Sequence, residues 1–482
     1  MYMLANQLVP QLREGLISSV ELLQEQLRMV NKYNPKINAV VTLDVDAALK
    51  KAAEADRKVR NGEPVGRLHG LPITVKEAFN VTGLPTTWGY PAHKNNIPQE
   101  NAPAVQRLVD AGAIIYGKTN VPVACSDWQT FNPVYGTTNN PWDLERIPGG
   151  SSGGSAAALA AGFTALELGS DIGASIRNPA HYCGVYGHKT TWGVIPLEGH
   201  ELPGTVCMDT LDIAVSGPLA RSAKDLQLAL DVLTEPLESF GALGWQSTRW
   251  RDHGKRAQDF KVAILTTDAQ APVDYEIQEK LHDLAAFLRK HGVSVAMDVR
   301  PADTELSRTT YYHLLRAATG AWMDDEAFAK ADEIARSLDI ADMSYRACNY
   351  RGSTMTHRDW QGHDQNRALL NRQWRAFFQE YDVLICPIAT SVAFKHNQGG
   401  ERWERMIEVN GQQQDSTTGL FWAGYSGMIG LPATAVPIGR SKIGLPIGAQ
   451  IVGPVLSDPA CIRFATWLED EWLGFEAPPM KF

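Results

Sequence analysis

Two short apolar runs, LPITV at 71–75 and AIIYG at 113–117, flank an amphipathic stretch, AVQRLVDAG at 104–112. The runs have strand length, and the stretch between them has helical spacing. Strand, helix, strand at this separation is the pattern of a βαβ unit, whose crossover helix covers a sheet. The chain is therefore expected to be α/β: one large domain with a mixed, mainly parallel central sheet covered by helices.

The rest of the chain fits that class. Residues 4–32 read as helix, with Leu12, Leu16, Leu22, Leu23 and Leu27 near helical spacing and Ser18-Ser19 ahead of Glu21 as a cap. Helical patterns recur at 45–60, 221–236, 273–291 and 458–473, and strand-like runs at 261–265, 293–297, 382–387 and 445–454. Residues 303–381 carry mostly helical periodicity and form an embedded helical segment rich in Tyr, Trp, His and Arg. No repeat, low-complexity tract or linker divides the chain.

Composition excludes some functions. Lys and Arg number 45 against 54 Asp and Glu, a net charge of −9, and no basic run offsets it. A nucleic-acid backbone as partner needs a concentrated positive field, so none is expected. No apolar run approaches the roughly 20 residues of a membrane span. The six cysteines, Cys125, Cys183, Cys207, Cys348, Cys386 and Cys461, lie far apart, without metal-type spacing. They are expected as reduced, buried thiols, and the protein as cytoplasmic, without metal or cofactor.

The densest chemical signal is GGSSGGSAAALAAG at 149–162, followed by ALELGSDIGASIRNPA at 165–180. Read as a phosphate loop it fails, because no Gly-Lys-Ser/Thr follows. Gly149-Gly150-Ser151-Ser152-Gly153 formally matches the G-x-S-x-G nucleophile elbow, a weak signal in so Gly/Ser-rich a stretch. That reading makes Ser151 the nucleophile and requires a late histidine base, for which His396 is the one residue left after His363. A plain flexible or capping loop is the third reading.

The combination with its surroundings resembles the amidase signature family. That family has a Gly/Ser loop, a D-[IT]-G-G-S-[IV]-R segment 24 residues after the first serine, and a lysine before both. DIGASIR puts Ser175 at the second serine, Ser151 at the first, and HGLPITVKEAFNVTGLPTTWG (69–89) puts Lys76 at the lysine. The likeness extends to GKTNVP (117–122), NNPWD (139–143), CGVYGHKTTWGVIP (183–196), SGPLARSAKDL (216–226) and GLPIGAQIVGP (444–454). It implies an amidase domain over 1–482. Within it, 1–62 is an N-terminal helical part, 66–220 the signature core, 221–381 a more variable substrate-side part and 382–482 the return to the core.

The resemblance implies a Ser-Ser-Lys triad of Lys76, Ser151 and Ser175, with a cis peptide before Ser151 and an acyl-enzyme intermediate on Ser175. A serine hydroxyl needs a base, and lysine serves only when burial keeps it neutral. The oxyanion hole implied is the backbone N–H groups of Ile172, Gly173, Ala174 and Ser175. Ala174 stands where glycine is common, which fits only if its φ is negative. Asp171 and Arg177 either pair to hold this loop or are solvated. His188 is expected as a packed or surface imidazole. Trp128, Phe131, Tyr311, Tyr312 and Trp322 are candidates for lining the substrate pocket, with core packing as the alternative.

The substrate implied is a small-molecule amide, an aryl amide among the candidates, with carbamates and esters open to the same chemistry. The family also includes the catalytic subunit of a tRNA-dependent amidotransferase, which works inside a complex. Oligomeric state is not legible in these residues; a homodimer is the commonest assembly for a soluble enzyme.

Overall fold

The computed structural model describes residues 2–206, 210–234, 250–251, 254–320 and 322–482. Cys207 and the end of the helix expected over 221–236 lie outside them. The expected unit is present: Pro72–Lys76 and Ile114–Thr119 pair in parallel, with the helix Pro103–Asp110 crossing between them. Pro103 suits a first turn, where the missing N–H forfeits no intrahelical bond. Val40–Leu43 joins the far side of Ile114–Thr119 as an antiparallel strand. All of Pro72–Lys76 is buried, so this strand carries its lysine into the interior.

A second sheet has eight strands, in the order 294–297, 261–264, 383–387, 446–452, 433–440, 186–189, 215–220, 166–171. It is mixed, but mainly antiparallel rather than mainly parallel: two pairings are parallel and five antiparallel. Part of the reason is local. Ala433–Arg440 and Pro446–Val452 are joined by 441–445 alone, and so short a link returns as a hairpin. Gly444 supplies the positive φ of that turn. An apolar run such as LPIGAQIVGP marks a strand buried on both faces, but its composition carries no sign of direction.

The N-terminal stretch is two helices rather than one, Ala5–Arg13 and Ser19–Ile37. The chain turns at Gly15 with positive φ. It restarts at Ser18, whose hydroxyl accepts the Glu21 N–H at 3.0 Å while the Glu21 carboxylate accepts the Ser18 N–H. The embedded segment is four helices, Thr304–Gly320, Asp325–Ser337, Tyr345–Thr354 and His357–Glu380. The first packs tightly on Leu420–Gly427: a Cβ on Gly424 would stand 2.1 Å from the Tyr311 ring. Among the described residues no helix is long and apolar enough to cross a membrane.

Candidate active site

The Gly/Ser loop leads into the buried helix Gly153–Ala160. It has to be nearly side-chain-free because it is wedged between other backbones. A Cβ on Gly150 would lie 2.3 Å from the Asp127 carbonyl oxygen, and one on Gly154 2.3 Å from the Asn120 nitrogen. The Gly150–Ser151 peptide is cis. Lys76, at the end of its strand, reaches this loop from the three-stranded sheet. Its Nζ is hydrogen-bonded to Ser151 Oγ at 2.7 Å and to Ser170 Oγ at 2.8 Å. The side chain is fully buried, and burial pushes its pKa down against the opposing pull of Cys125 and Asp171.

Ser175 follows the strand Leu166–Asp171 in a turn tied together by one carboxylate. Asp171 accepts the N–H groups of Ala174 at 2.9 Å, Ile176 at 3.1 Å and Arg177 at 3.3 Å. It also receives the Arg177 guanidinium at two points, 2.8 and 3.0 Å. Both side chains are fully buried, which decides for the pair over a solvated role. Burial alone would raise the Asp171 pKa, but the Arg177 charge and these hydrogen bonds outweigh it and hold the carboxyl low.

This arrangement corrects the expected oxyanion hole. The Ala174 N–H is taken by Asp171 and is not available to a substrate oxygen. Ala174 also has φ of 66°, not the negative value its methyl was expected to need. Left-handed alanine costs roughly 1–2 kcal/mol; the Asp171 bond to its N–H is one that fixes the turn. Among the described residues the N–H groups of Ile172, Gly173 and Ser175 have no hydrogen-bond acceptor. The Ser175 carbonyl accepts from Ser152 N–H at 3.1 Å. Ser151 and Ser175 line the same cavity, but their hydroxyls are not hydrogen-bonded to each other in this conformation.

That cavity has a volume of about 80 Å³. Its walls include Trp88, Trp322, Leu197, Leu211, Leu315 and Leu420, with Cys125, His200, Arg316 and Arg402 among the polar groups. Trp88 and Trp322 meet edge to face, with ring centroids 5.7 Å apart. Burial is the main cause that pushes the His200 pKa down to about 3, so this imidazole is neutral at ordinary pH. Burial pushes the Cys125 thiol up. Among the described residues no group of three His, Cys, Asp or Glu side chains could hold a metal ion.

The family model described as Amidase matches residues 21–462. The chain belongs to the amidase family. An indoleacetamide hydrolase of Bradyrhizobium diazoefficiens is 32% identical over 448 residues, covering 92% of this chain and 81% of the relative. A glutamyl-tRNA(Gln) amidotransferase subunit of Picosynechococcus sp. is 29% identical, covering 93% of each chain. A solved amidase superposes with a TM-score of 0.79 at 27% identity, covering 97% of this chain and 99% of the other. A protein from a study of an s-triazine catabolic enzyme superposes with a TM-score of 0.81 at 26% identity, covering 98% and 99%. As a member of this family the protein is an amide hydrolase.

Not every residue singled out in the sequence lies at the cavity of this amidase. Trp128 and Trp322 line it. Phe131 does not; it sits in a small hairpin with the Arg405 guanidinium 5.9 Å from its ring. Tyr311 and Tyr312 are buried in the core behind the wall, because their helix turns these faces towards the 420–427 helix and its flank. Tyr311 still serves the site: its hydroxyl donates to the Ile172 carbonyl at 3.0 Å, while Trp128 Nε1 donates to the Gly173 carbonyl at 2.7 Å. His188 is a packed imidazole, held by Thr434 and Asp458. His396, which an elbow mechanism would need, is not among the cavity residues. Ser170, His200, Arg316 and Arg402 went unnoticed in the sequence. Ser170 alone left a trace, at the end of the strand run ALELGSD leading to the Ser175 turn.

Proposed function

We propose that this amidase cleaves a small-molecule amide with Ser175 as nucleophile, Lys76 as base and Ser151 as the proton carrier between them. The observation that carries this reading is the fully buried Lys76 amine, 2.7 Å from Ser151 Oγ and without a carboxylate at ion-pair distance among the described residues. An uncharged amine there donates one hydrogen to Ser170 and offers its lone pair to Ser151.

Ser175 Oγ attacks the amide carbonyl as its proton moves to Ser151, whose own proton moves to Lys76. A side-chain rotation of Ser175 towards Ser151 closes this relay when substrate docks; such contacts commonly tighten only in the complex. The oxyanion is held by the N–H groups of Ile172, Gly173 and Ser175, each worth roughly 2.7–4 kcal/mol when well aimed. The proton returns by the same route to the departing amine. Water then repeats the sequence on the acyl-enzyme and frees the acid.

The apolar walls and the Trp88–Trp322 pair favour a substrate with an aryl or similarly flat group. Carbamates and esters pass through the same tetrahedral oxyanion and suit the same apparatus. The likeness to glutamyl-tRNA(Gln) amidotransferase subunits favours a second reading, a catalytic subunit within a complex. Gel filtration together with an ammonia-release assay on the purified chain separates the two.

The test is a screen of aliphatic amides, aryl anilides and aryl carbamates on the native enzyme and on Ser175→Ala, with mass spectrometry of quenched reactions. The expected result is turnover of one class, its loss in S175A, and an acyl adduct on the peptide carrying Ser175. An adduct on Ser151 would overturn the assignment.

A further inference from the structure

Charge accounting around the cavity leaves a surplus. Two carboxylates line it, and both are committed: Asp171 to Arg177 at 2.8 Å, and Asp127 to Arg405 at 2.5 Å. Two guanidinium groups line it as well, Arg316 and Arg402, and among the described residues neither is ion-paired with a carboxylate. Arg316 is 7% exposed, and its Nε is buried without a hydrogen-bond partner. Its guanidinium lies 5.2 Å from the Tyr345 ring centroid and that of Arg402 5.9 Å from the same ring. The buried Tyr345 hydroxyl makes only a loose hydrogen bond with the Arg316 side chain, which leaves Arg316 Nε unpartnered. Arg402 donates to the Ser126 carbonyl. Asp415, the acid whose field reaches Arg402, accepts the N–H and hydroxyl of Thr417 on Oδ1 and is not at ion-pair distance from Arg402.

Two like charges sharing one ring, one of them with an idle buried donor, are an unfavourable arrangement for the protein alone. Buried charges are ordinarily paired. A planar anion with two oxygens meets the geometry of a guanidinium fork. A phosphate would satisfy the charge too, but walls that are mainly apolar suit the flat, less strongly hydrated carboxylate better.

We propose that Arg316 and Arg402 form a carboxylate subsite, so that the amide cut by this enzyme carries a carboxylate on the half of the molecule facing them. The inference rests on the Ser175 reading for which bond is cut, but not for whether a carboxylate binds.

The test uses two substrate pairs that differ in one carboxylate. Butyric 4-nitroanilide and succinic mono-4-nitroanilide place it on the acyl half; acetanilide and 4-acetamidobenzoate place it on the amine half. The native enzyme is expected to prefer the charged member of one pair by roughly 10- to 100-fold in kcat/KM, the worth of a charge-assisted hydrogen bond. In Arg316→Gln and Arg402→Gln that ratio is expected to fall towards one. A ratio near one in both pairs for the native enzyme, or a ratio indifferent to both substitutions, overturns the proposal.

Calorimetric titration of the charged compounds into Ser175→Ala, with and without R316Q, separates the two levels of the argument. Binding to S175A that R316Q abolishes supports the subsite even if no compound is hydrolysed. Binding indifferent to R316Q, or no binding of either charged compound, counts against the subsite. Turnover of neutral anilides that disappears in S175A, with no charge preference, leaves the nucleophile standing and removes the subsite alone.

Discussion

Asp171 and Arg177 form a fully buried two-point ion pair, and the same Asp171 carboxylate accepts the N–H of Ala174 on one side of Ser175 and of Ile176 on the other. The pair therefore sets the pitch of the turn that presents Ser175. Removing one partner strands the other charge in the interior, at a cost of about 3–5 kcal/mol. Arg177→Met is expected to lower the unfolding free energy in urea by that amount, and Asp171→Asn/Arg177→Met to lose less than the sum of the single changes. Additive losses in a double-mutant cycle would contradict the coupling.

Lys76 has to be neutral to accept a proton, and burial moves its pKa down from the ordinary lysine value. Protonation disables the base, so kcat/KM for a neutral anilide should fall as pH drops through the folded-state pKa. The midpoint of that limb should lie below the ordinary lysine value. Lys76→Met is expected to lose roughly 10²–10⁴ in rate, and Lys76→Arg, which cannot lose its proton, to do no better. Retained activity in K76R would rule Lys76 out as base.

Trp128 and Tyr311 hold the carbonyls of Gly173 and Ile172, on the loop that lines the cavity and is proposed to hold the oxyanion. Trp128→Phe and Tyr311→Phe each remove one bond worth about 0.5–1.5 kcal/mol. Each is expected to lower kcat about 2- to 10-fold with little change in KM for a small neutral substrate. The paired substitution should be non-additive, because both act on one loop. A rise in KM at constant kcat would instead make them ordinary binding residues.

Glu167 is fully buried, and burial pushes its pKa up to about 8 in spite of hydrogen bonds from Thr74 and Thr119. The ordinary value is 4.5, so between pH 4.5 and 8 the folded protein keeps a proton that the unfolded chain releases. Its contribution to stability is full below that window and is lost as pH rises through it, by at most about 1.4 kcal/mol per unit. Glu167→Gln does not titrate. Urea unfolding of both proteins at several pH values should show the native protein losing stability relative to E167Q from pH 5 to 8. Parallel pH profiles would show that Glu167 is not the group responsible.

The legible parts of this protein are those written locally. Pro72–Lys76 and Ile114–Thr119 could be read as parallel strands because the amphipathic helix between them forces a crossover. The Gly/Ser loop could be read as suited to a close backbone approach, with a plain capping loop as the alternative; the structure decides for the first, with Gly150 and Gly154 against other backbones. The direction of the strands in the large sheet was not written locally, and the sheet came out mainly antiparallel where a mainly parallel one was expected. The aromatic residues at 311–312 were legible as a cluster but not by facing. Their helix turns Tyr311 onto Gly424 and Tyr312 towards Thr417, both more than a hundred residues away, while Trp322 lines the cavity.

Lys76, Ser151 and Ser175 could be named as triad candidates from the chain because its motifs resemble those of the amidase signature family; the residue types alone left a nucleophile elbow and a plain capping loop open. What no linear reading supplies is the company each group keeps. Ala174 loses its N–H to Asp171, and Ser170 approaches Lys76 from the other sheet. Arg316 and Arg402 converge on Tyr345 from helices and loops far apart in the chain. Hydrogen bonding, desolvation and charge depend on distances of a few ångströms, which residues distant in sequence acquire only when the sheets and helices pack.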